Sequence, residues 1–363
     1  MDQKQALMAL EVMSNKYGRN PAYVLAGGGN TSYKEQAVLY VKGSGTALAT
    51  IKAEDFVRID RKKLGAVWGK TYPKEEAARE AAVLADMMAA RVTGETRRPS
   101  VETLLHDLFP YRYVLHLHPT MVNGVTCSVR AKETVAELFP DAVFVENAKP
   151  GYTLAALCRE RLCACQKETG RFPDTVFLQN HGVFFAADTT EELDAMVARV
   201  MGAIDACIVA RPATGEAATD EKKAAAFADR LAALYGGAVR HCRAASLPAA
   251  GEVLLSLTPD HIVYCKAAPL TLSESDDAEK AFAAFVEKHG YKPKVVCVRG
   301  LGAFCCGATE KEADTALAVL LDAVAISVYA ASFGGVCPMP AWLVDFITHW
   351  EVESYRAKVS QKG

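Results

Sequence analysis

The chain has 363 residues, of which 51% are hydrophobic and 23% are charged. This composition is that of a folded globular protein, and it excludes disordered, collagenous and coiled-coil classes. Lysine and arginine total 41 against 43 aspartate and glutamate residues, so the net charge of −2 provides no long-range attraction to nucleic acid or to an anionic membrane. At about 100–200 residues per domain, the length predicts two domains.

The sequence predicts neither export nor membrane insertion. An apolar run at residues 6–10 stops at Glu11, too early for a signal peptide. The stretch 313–328 is interrupted by Asp314 and Asp322 before it reaches the ~18–20 apolar residues of a membrane span. The eleven cysteines lack C-x-x-C spacing and predict reduced, mostly buried thiols. We therefore expect a cytoplasmic protein with no nucleic-acid or membrane partner.

Two glycine-rich turns lie in the amino-terminal part, AGGGNTS at residues 26–32 and KGSGT at residues 42–46. Both offer backbone amides and polar side chains suited to an oxyanion, and Lys42 adds a cation. Either is equally compatible with a plain hairpin turn. Neither has the spacing of a dinucleotide fingerprint or of a P-loop.

Strands and helices alternate through the next 140 residues or so of the chain. The predicted elements are a helix over 74–91, a helix over 102–109, a strand over 112–117, a strand over 142–146, a helix over 152–166, strands over 175–178 and 183–186, and a helix from 189 to about 210. The last helix opens with the capping box Thr189-Thr190-Glu191-Glu192.

Three histidines stand out in this region. His116 and His118 are at i and i+2 on a predicted strand, so their side chains leave the same face. Such a pair either binds a metal ion or is structural. His181, in a turn between two strands, would add a third imidazole, and three imidazoles with one open position are typical of a catalytic zinc site.

Glu102 begins the predicted helix 102–109 and has two interpretations. It is either a carboxylate that interacts with the helix dipole or a general acid/base beside the metal. His106 lies on the same helical face, and we expect it to be a hydrogen-bonded structural histidine and not a metal ligand. The other histidines form no spaced cluster; they are His241, His261, His289 and His349.

Residues 211–220 are mostly small or polar and include a proline and a glycine, which predicts a boundary. The expected organisation is a catalytic domain over 1–210, a linker over 211–223 and a second domain over 224–363. Residues 173–204 align without gaps on 293–324, so a strand, a glycine turn, a strand and a capped helix occur twice.

A weaker match places residues 113–118 over 261–266. It predicts that the second copy has replaced its three histidines, with Tyr264, Lys266 and Leu301 in their places. The second domain is then a degenerate unit that supports assembly or the substrate pocket without a metal of its own. Residues 350–356 predict a charged surface helix.

The motifs GGGNTS, KGSGT, RPSVETLLH, VLHLHP and LQNHG occur in an order and spacing that resemble the class II aldolase/adducin family over roughly residues 1–210. Within that family the chain is most similar to the aldolase part of rhamnulose-1-phosphate aldolase/short-chain dehydrogenase fusion proteins, without the dehydrogenase domain. The resemblance implies a three-layer α/β/α sandwich around a mixed, mostly antiparallel sheet, followed here by a smaller degenerate aldolase-like α/β unit. It also implies a homo-oligomer, usually a tetramer.

The resemblance further implies roles for individual residues. His116, His118 and His181 would bind Zn²⁺, with another divalent metal as the alternative, and Glu102 would be the catalytic carboxylate. The substrate phosphate would be held by Asn30, Ser44, Gly45 and Ser100. Many members have a second serine before the glutamate, where this chain has Val101, so one hydroxyl of the phosphate site is missing.

The expected function is that of a zinc-dependent aldolase, a carbon–carbon lyase that cleaves a ketose phosphate such as a deoxyketose 1-phosphate. Cleavage would pass through a metal-stabilised enediolate, with Glu102 as the acid/base. The alternatives are a sugar-phosphate 4-epimerase or a dehydratase on the same zinc site, and a non-catalytic adducin-like binding protein. Epimerases usually have aspartate in place of Glu102, and adducin heads lack the metal histidines.

Overall fold

The structure is a computed structural model that describes residues 2–248 and 251–350. These residues form two compact units. Unit 1 comprises residues 2–122 and Lys132–Ile204, and unit 2 comprises Asn123–Ala131 and residues 205–350.

Unit 1 is built on a seven-stranded sheet. Its strands are β1 (Asn30–Glu35), β2 (Val38–Val41), β3 (Val57–Asp60), β4 (Tyr113–Leu117), β5 (Val143–Val145), β6 (Thr175–Leu178) and β7 (Gly182–Ala187). Its helices are α1 (Gln3–Gly18), α2 (Arg61–Gly65), α3 (Glu76–Ala89), α4 (Thr103–Leu108), α5 (Thr120–Thr126, which continues into unit 2), α6 (Ala131–Leu138), α7 (Tyr152–Thr169) and α8 (Thr190–Asp205).

The strand order in this sheet is β3-β2-β1-β4-β7-β6-β5. All neighbouring pairs are antiparallel except β5 with β6. Apolar residues of α3, α4 and α7 pack in one core with Val114 and Phe184 on one face of the sheet. On the other face the Tyr113 hydroxyl donates a hydrogen bond to the Ala6 carbonyl of α1 (3.3 Å). The predicted α/β class with a mixed, mostly antiparallel sheet is confirmed.

The predicted capping box at the start of α8 is also present. The Glu192 amide donates to the Thr189 hydroxyl (3.2 Å), and the Thr189 amide donates to the Glu192 carboxylate (3.1 Å). The helix ends at Asp205, before its predicted end near residue 210, and the chain from there to Asp220 contains no regular helix or strand.

Unit 2 contains a four-stranded sheet in the order β8-β11-β10-β9. Its strands are β8 (Ala238–Cys242), β9 (Leu270–Leu272), β10 (Val295–Val298) and β11 (Gly302–Gly307). Its helices are α9 (Glu221–Tyr235), α10 (Pro259–Cys265), α11 (Ala278–His289), α12 (Glu310–Ala330) and α13 (Ala341–His349). The predicted linker 211–223 therefore includes the first residues of α9.

The internal repeat is confirmed at the level of strand register. Val176 pairs with Phe184 between β6 and β7, and the residues 120 positions later, Val296 and Phe304, pair between β10 and β11. The glycines that open β7 and β11 are matched too. A Cβ on Gly182 would lie 2.3 Å from the carbonyl oxygen of Leu117, and one on Gly302 would lie 2.4 Å from that of Cys242. A side chain at either position would collide with the backbone of the adjacent strand.

The weaker match of 113–118 to 261–266 is wrong. Most of the second segment belongs to helix α10, which has Pro259 in its first turn and a capping box between Thr258 and His261. Proline at the start of a helix favours the helical state, and a short apolar run alone does not distinguish helix from strand. The counterpart of β4 is β8, because His241 pairs with Phe304 as His116 pairs with Phe184.

Helix α12 departs from a second expectation. The segment 310–333 is long and apolar enough to cross a membrane by length and composition, despite the interruptions noted in the sequence. In unit 2 the helix packs against β8, β11 and α10, with Ala316, Leu320 and Ala323 buried. Fewer than half of the residues in its most apolar stretch are buried, so packing within unit 2 accounts for part of this apolar composition. Of the predicted helix 350–356, only Trp350 lies among the described residues.

Candidate metal centre

Four segments of unit 1 converge where the central strands of its sheet end, and this end of the strands is called the site edge of the sheet. They are the start of β1, the end of β4, the turn between β6 and β7, and the residues just before α4. The strand register aligns Asn30 of β1 with His116 of β4, and His116 with Phe184 of β7. The three predicted metal-binding histidines and Glu102 therefore come together at this edge.

One nitrogen from each of His116, His118 and His181 lies within 4.8 Å of the other two. The Nε2 atoms of His116 and His118 are 3.0 Å apart. Nitrogens bound at ~2.0–2.1 Å to a tetrahedral zinc ion are about 3.3 Å from each other, so this spacing suits a shared ion. The donor set therefore fits a divalent metal held by three imidazoles.

His116 has the tautomer that metal binding requires. Its Nδ1 is 3.0 Å from the Val183 carbonyl, which only accepts, so Nδ1 carries the hydrogen and Nε2 keeps its lone pair. The ring is fully buried and stacks on Phe184 at 3.9 Å between centroids and 12° between planes. Burial lowers the pKa of His116 while Glu102 opposes the shift, and the net lowering favours the neutral imidazole.

Glu102 is the N-cap residue of α4, but its side chain makes no capping hydrogen bond. Instead, Oε1 lies 3.3 Å from Nε2 of His116 and 3.6 Å from Nε2 of His181. Burial alone would raise the pKa of this carboxyl, but the imidazoles of His116, His181 and His118 lower it well below its usual range. The carboxylate thus faces the histidines, and the helix-dipole interpretation does not describe its contacts.

The residues expected to bind phosphate lie beside this centre. The Asn30 amide group donates to the Ser100 hydroxyl (2.5 Å) and to Oε2 of Glu102 (3.1 Å). Among the described residues, its own Oδ1 is buried without a hydrogen-bond partner. Both amide hydrogens therefore orient Glu102 and Ser100 in this structure, and only an acceptor is left for a ligand. The role of Asn30 in phosphate binding stays a prediction.

The second glycine turn is tied to the segment that precedes Glu102. The Ser44 amide donates to the Arg98 carbonyl (2.9 Å), and the Ser100 amide donates to the Lys42 carbonyl (3.1 Å). Gly45 follows with a left-handed φ of 84°. The turn with Ser44 and Gly45 thus lies next to the segment with Ser100 in space. The role of these three residues in phosphate binding also stays a prediction.

Lys42 does not present a free cation at the turn, contrary to expectation. It is buried, and its Nζ donates to the carbonyl oxygens of Gly27 (3.0 Å) and Gly29 (2.8 Å). The ammonium group therefore stabilises the first glycine turn. His106 behaves as predicted for a structural histidine, because it is buried with Nδ1 2.8 Å from the Ser32 hydroxyl.

Sequence reasoning missed the contribution of Asn180, which directly precedes His181. Asn180 has a left-handed φ of 54°, and the His181 amide donates to the Leu178 carbonyl (3.2 Å). The side-chain amide of Asn147, two residues after β5, donates to Oδ1 of Asn180 (3.2 Å) and braces this turn. Asparagine tolerates the left-handed region better than most residues, so the Asn-His-Gly sequence was the available signal.

Glu95 anchors the chain that leads to Ser100 and Glu102. Its carboxylate accepts from Nε of Arg97 (2.8 Å) and from the Arg97 and Thr96 amides (both 3.1 Å). The hydrogen bonds from Arg97 lower the pKa of this buried carboxyl to about 2, although burial opposes the shift.

Replacing Glu95 with glutamine is expected to lower the free energy of unfolding by about 2 kcal/mol at neutral pH, because hydrogen bonds to a charged group are lost. The folded-state pKa is depressed, so the contribution is complete above the usual value of 4.5 and disappears as the pH falls toward about 2. Urea unfolding across that interval should show the difference between wild type and Glu95→Gln shrinking. Glu54→Gln, at an exposed carboxylate, is the control, and a difference independent of pH would contradict this account.

The family model for the class II aldolase and adducin N-terminal domain matches residues 16–206, which include Glu102 and all three histidines. The chain belongs to the class II aldolase and adducin family. The family named from the sequence motifs is thereby confirmed, whereas the closer likeness to the rhamnulose-1-phosphate aldolase fusion proteins stays a prediction. Assembly as a homo-oligomer and a cytoplasmic location also stay predictions.

Several known proteins are similar to this class II aldolase family member. An uncharacterized oxidoreductase of Bacillus subtilis (strain 168), YuxG, is 29% identical over 188 residues, which are 49% of this chain and 26% of that protein. The match thus spans about a quarter of that relative's length. The N-terminal class II aldolase domain of a Thermoplasma acidophilum protein is 24% identical with a TM-score of 0.48, over 56% of this chain and 94% of that one. L-fuculose-1-phosphate aldolase from Thermus thermophilus is 14% identical with a TM-score of 0.37, over 55% and 93%.

Proposed function

We propose that this protein is a divalent-metal-dependent aldolase that cleaves a ketose phosphate. The observation that carries the proposal is the position of Glu102 Oε1, 3.3 and 3.6 Å from the Nε2 atoms of two of the three clustered imidazoles. A carboxylate directly beside a three-histidine donor set suits a reaction that combines a metal with a proton transfer. Membership of the class II aldolase and adducin family supports the same reaction class.

His116, His118 and His181 would hold the metal, which when bound acts as a Lewis acid toward the substrate carbonyl. In the cleavage direction, the bond breaks between the carbon next to the carbonyl and the hydroxyl-bearing carbon beyond it. The hydroxyl loses its proton to solvent as its carbon becomes the aldehyde carbonyl, and the electron pair of the broken bond remains on the carbon next to the ketose carbonyl. That carbon must then receive a proton. Glu102 lies beside the metal-binding imidazoles, where it would carry this proton, and the Asn30 amide holds its other oxygen in place (3.1 Å).

The glycine turns would bind the anionic end of the substrate. Because the net charge of −2 offers no general attraction, binding would depend on local donors such as the Ser44 hydroxyl and the Gly45 amide. Val101 removes one hydroxyl from this set. We therefore expect the phosphate to contribute less affinity here than two serines would provide.

The test is metal analysis followed by an assay of aldehyde release over a panel of ketose 1-phosphates and the matching free ketoses, with coupled detection of dihydroxyacetone phosphate from the phosphorylated sugars. Aldehyde release faster from the phosphorylated sugars, together with dihydroxyacetone phosphate from them, is the expected result. Inversion at carbon 4 would indicate an epimerase, and loss of water would indicate a dehydratase. A metal-free protein with no turnover on the panel would favour the adducin-like alternative.

A further inference from the structure

Unit 2 retains the sheet edge that carries the histidines in unit 1. In the turn between β10 and β11, Gly300 has a left-handed φ of 84°. Asn180, at the corresponding place in unit 1, also has a left-handed φ, of 54°. The amides of Leu301 and His181 each donate to the carbonyl three residues earlier, at 3.0 and 3.2 Å. Because β8, β11 and β10 share the register of β4, β7 and β6, this part of unit 2 corresponds to the part of unit 1 that carries the three histidines.

The corresponding edge is unsuited to a metal ion. The three ligand positions carry His241, Arg243 and Leu301. The His241 ring stacks on Phe304, as His116 stacks on Phe184, but its Nε2 is 2.6 Å from the Leu301 carbonyl. A carbonyl only accepts, so Nε2 of His241 carries the hydrogen and has no lone pair to offer at this position.

A cavity of about 370 Å³ opens at this edge of unit 2. Small-molecule sites are typically ~300–1,000 Å³, so the volume suits a small ligand. The walls are the turn 297–302, the segment 217–219 and the side chains of Arg243 and Leu247. The Ala217 amide donates to the Arg243 carbonyl (2.7 Å), and the Thr219 hydroxyl donates to the Gly300 carbonyl (3.2 Å). These bonds hold the walls together without a ligand.

Two arginines line this cavity, and their side chains differ in their hydrogen-bond partners. Arg243 donates to Glu221 (3.0 Å) and to Glu216, which hold it in place and use only part of its five N–H donors. Arg299 forms no ion pair or side-chain hydrogen bond within the described part of the chain.

The carboxylates near Arg299 have other partners. Glu274 accepts from Lys223 (2.9 Å), and Asp276 accepts from the Ser273 amide (2.7 Å). Hydrogen bonds from Ser273 mainly lower the pKa of Asp276, and Arg299 adds a smaller Coulombic contribution. Arg299 is thus the arginine of this cavity whose guanidinium donors are all available to a ligand, whereas Arg243 has only part of its donors left.

We propose that this cavity binds a small organic anion. Its carboxylate or phosphate group would lie against Arg299 and Arg243, because a guanidinium group offers paired donors that match either oxyanion. Its carbon body would contact the apolar side chains of Leu247, Val253 and Leu301, which also line the cavity. The proposal does not depend on the reaction catalysed in unit 1.

The test is isothermal titration calorimetry of the full, metal-loaded chain with inorganic phosphate, glycerol 3-phosphate, pyruvate and neutral glycerol as probes. At least one anionic probe should bind wild type, and glycerol should not. Arg299→Ala should weaken that binding about tenfold or more, as expected for a lost charge-assisted hydrogen bond. The comparison of phosphate, glycerol 3-phosphate and pyruvate identifies which oxyanion, and how much carbon body, the cavity prefers.

Arg230→Ala is the matched control, because Arg230 is an exposed arginine of unit 2 that pairs with Glu279 away from the cavity lining. It removes the same charge and should leave the affinity unchanged. Arg243→Ala is the second variant and should also weaken binding. The proposal is overturned if wild type binds no anionic probe at millimolar concentration, or if Arg299→Ala and Arg230→Ala both bind as wild type does. If unit 1 does not bind phosphate, the proposed function fails, but Arg299→Ala should still weaken the binding of pyruvate to unit 2. The two proposals can therefore fail separately.

Discussion

Replacing His116 and His181 together with alanine is expected to abolish stoichiometric binding of a divalent metal. The change removes two of the three imidazoles whose nitrogens lie within 4.8 Å of one another and leaves His118 alone. Loss of outer partners of metal ligands already costs ~10–100-fold in affinity, so loss of two ligands should exceed that range. Elemental analysis of the purified, zinc-reconstituted protein, with a competition titration against a chromophoric chelator, measures the effect.

The internal repeat provides the control for this experiment. His241 occupies the place of His116 in unit 2 and stacks in the same way on a phenylalanine, at 4.5 Å and 10°. Because its Nε2 donates to a carbonyl, His241→Ala should leave the metal content unchanged. Wild type without near-stoichiometric metal after reconstitution, or a double variant that retains it, would refute the metal centre. Circular dichroism melts should accompany both variants, since His116 is fully buried.

Replacing Glu102 with glutamine is expected to reduce turnover by about 10²–10⁴-fold, the usual contribution of a general acid/base. Glutamine keeps the size of the side chain but cannot carry the transferred proton. The three imidazoles remain, so the metal should still bind. Initial rates of ketose 1-phosphate cleavage, measured together with metal content, separate the loss of catalysis from the loss of the ion.

Glu54→Gln serves as the control for this substitution because Glu54 is an exposed glutamate in the same unit. Its rate should equal that of wild type. If Glu102→Gln cleaves the same substrates as fast as wild type, Glu102 is not the acid/base. If its metal content falls in parallel with its rate, Glu102 acts mainly as a metal ligand.

The sequence predicted the pair His116 and His118 because its geometry is local, whereas the pairing of β4 with β7 brings His181 to that pair. His116 and His118 share a strand face by their spacing alone, and His181 stands in a short turn next to a strand. The internal repeat was predictable for a similar reason, because each copy is a short hairpin followed by a helix. The gap-free alignment gives Val296 and Phe304 the same pairing as Val176 and Phe184.

Other features depended on contacts between distant parts of the chain and could not be predicted. Lys42 has the sequence context of an anion-binding cation, but the fold buries it against the carbonyls of Gly27 and Gly29. The helix at 261–265 differs from these features, because the local signals of Pro259 and the Thr258 cap were available in the sequence and distinguish a helix from a strand in this short apolar run. The correspondence of His241 with His116 appears only from strand pairing, because the two differ by 125 positions and not by the 120 of the aligned repeat.

The order of the sheet in unit 2 has a consequence for self-association. In unit 1, strand β4 lies between β1 and β7. Its counterpart in unit 2, β8, pairs only with β11 among the described strands and is therefore the last strand of its sheet. A terminal strand with open backbone groups is a template for adding a strand from another molecule. Arg240, in the middle of β8, is held by Asp314 (2.6 Å) and Glu310 of α12. A charged side chain on a terminal strand is one of the features that discourage such pairing, so Arg240 is the residue of β8 that we expect to oppose addition of a strand from another molecule.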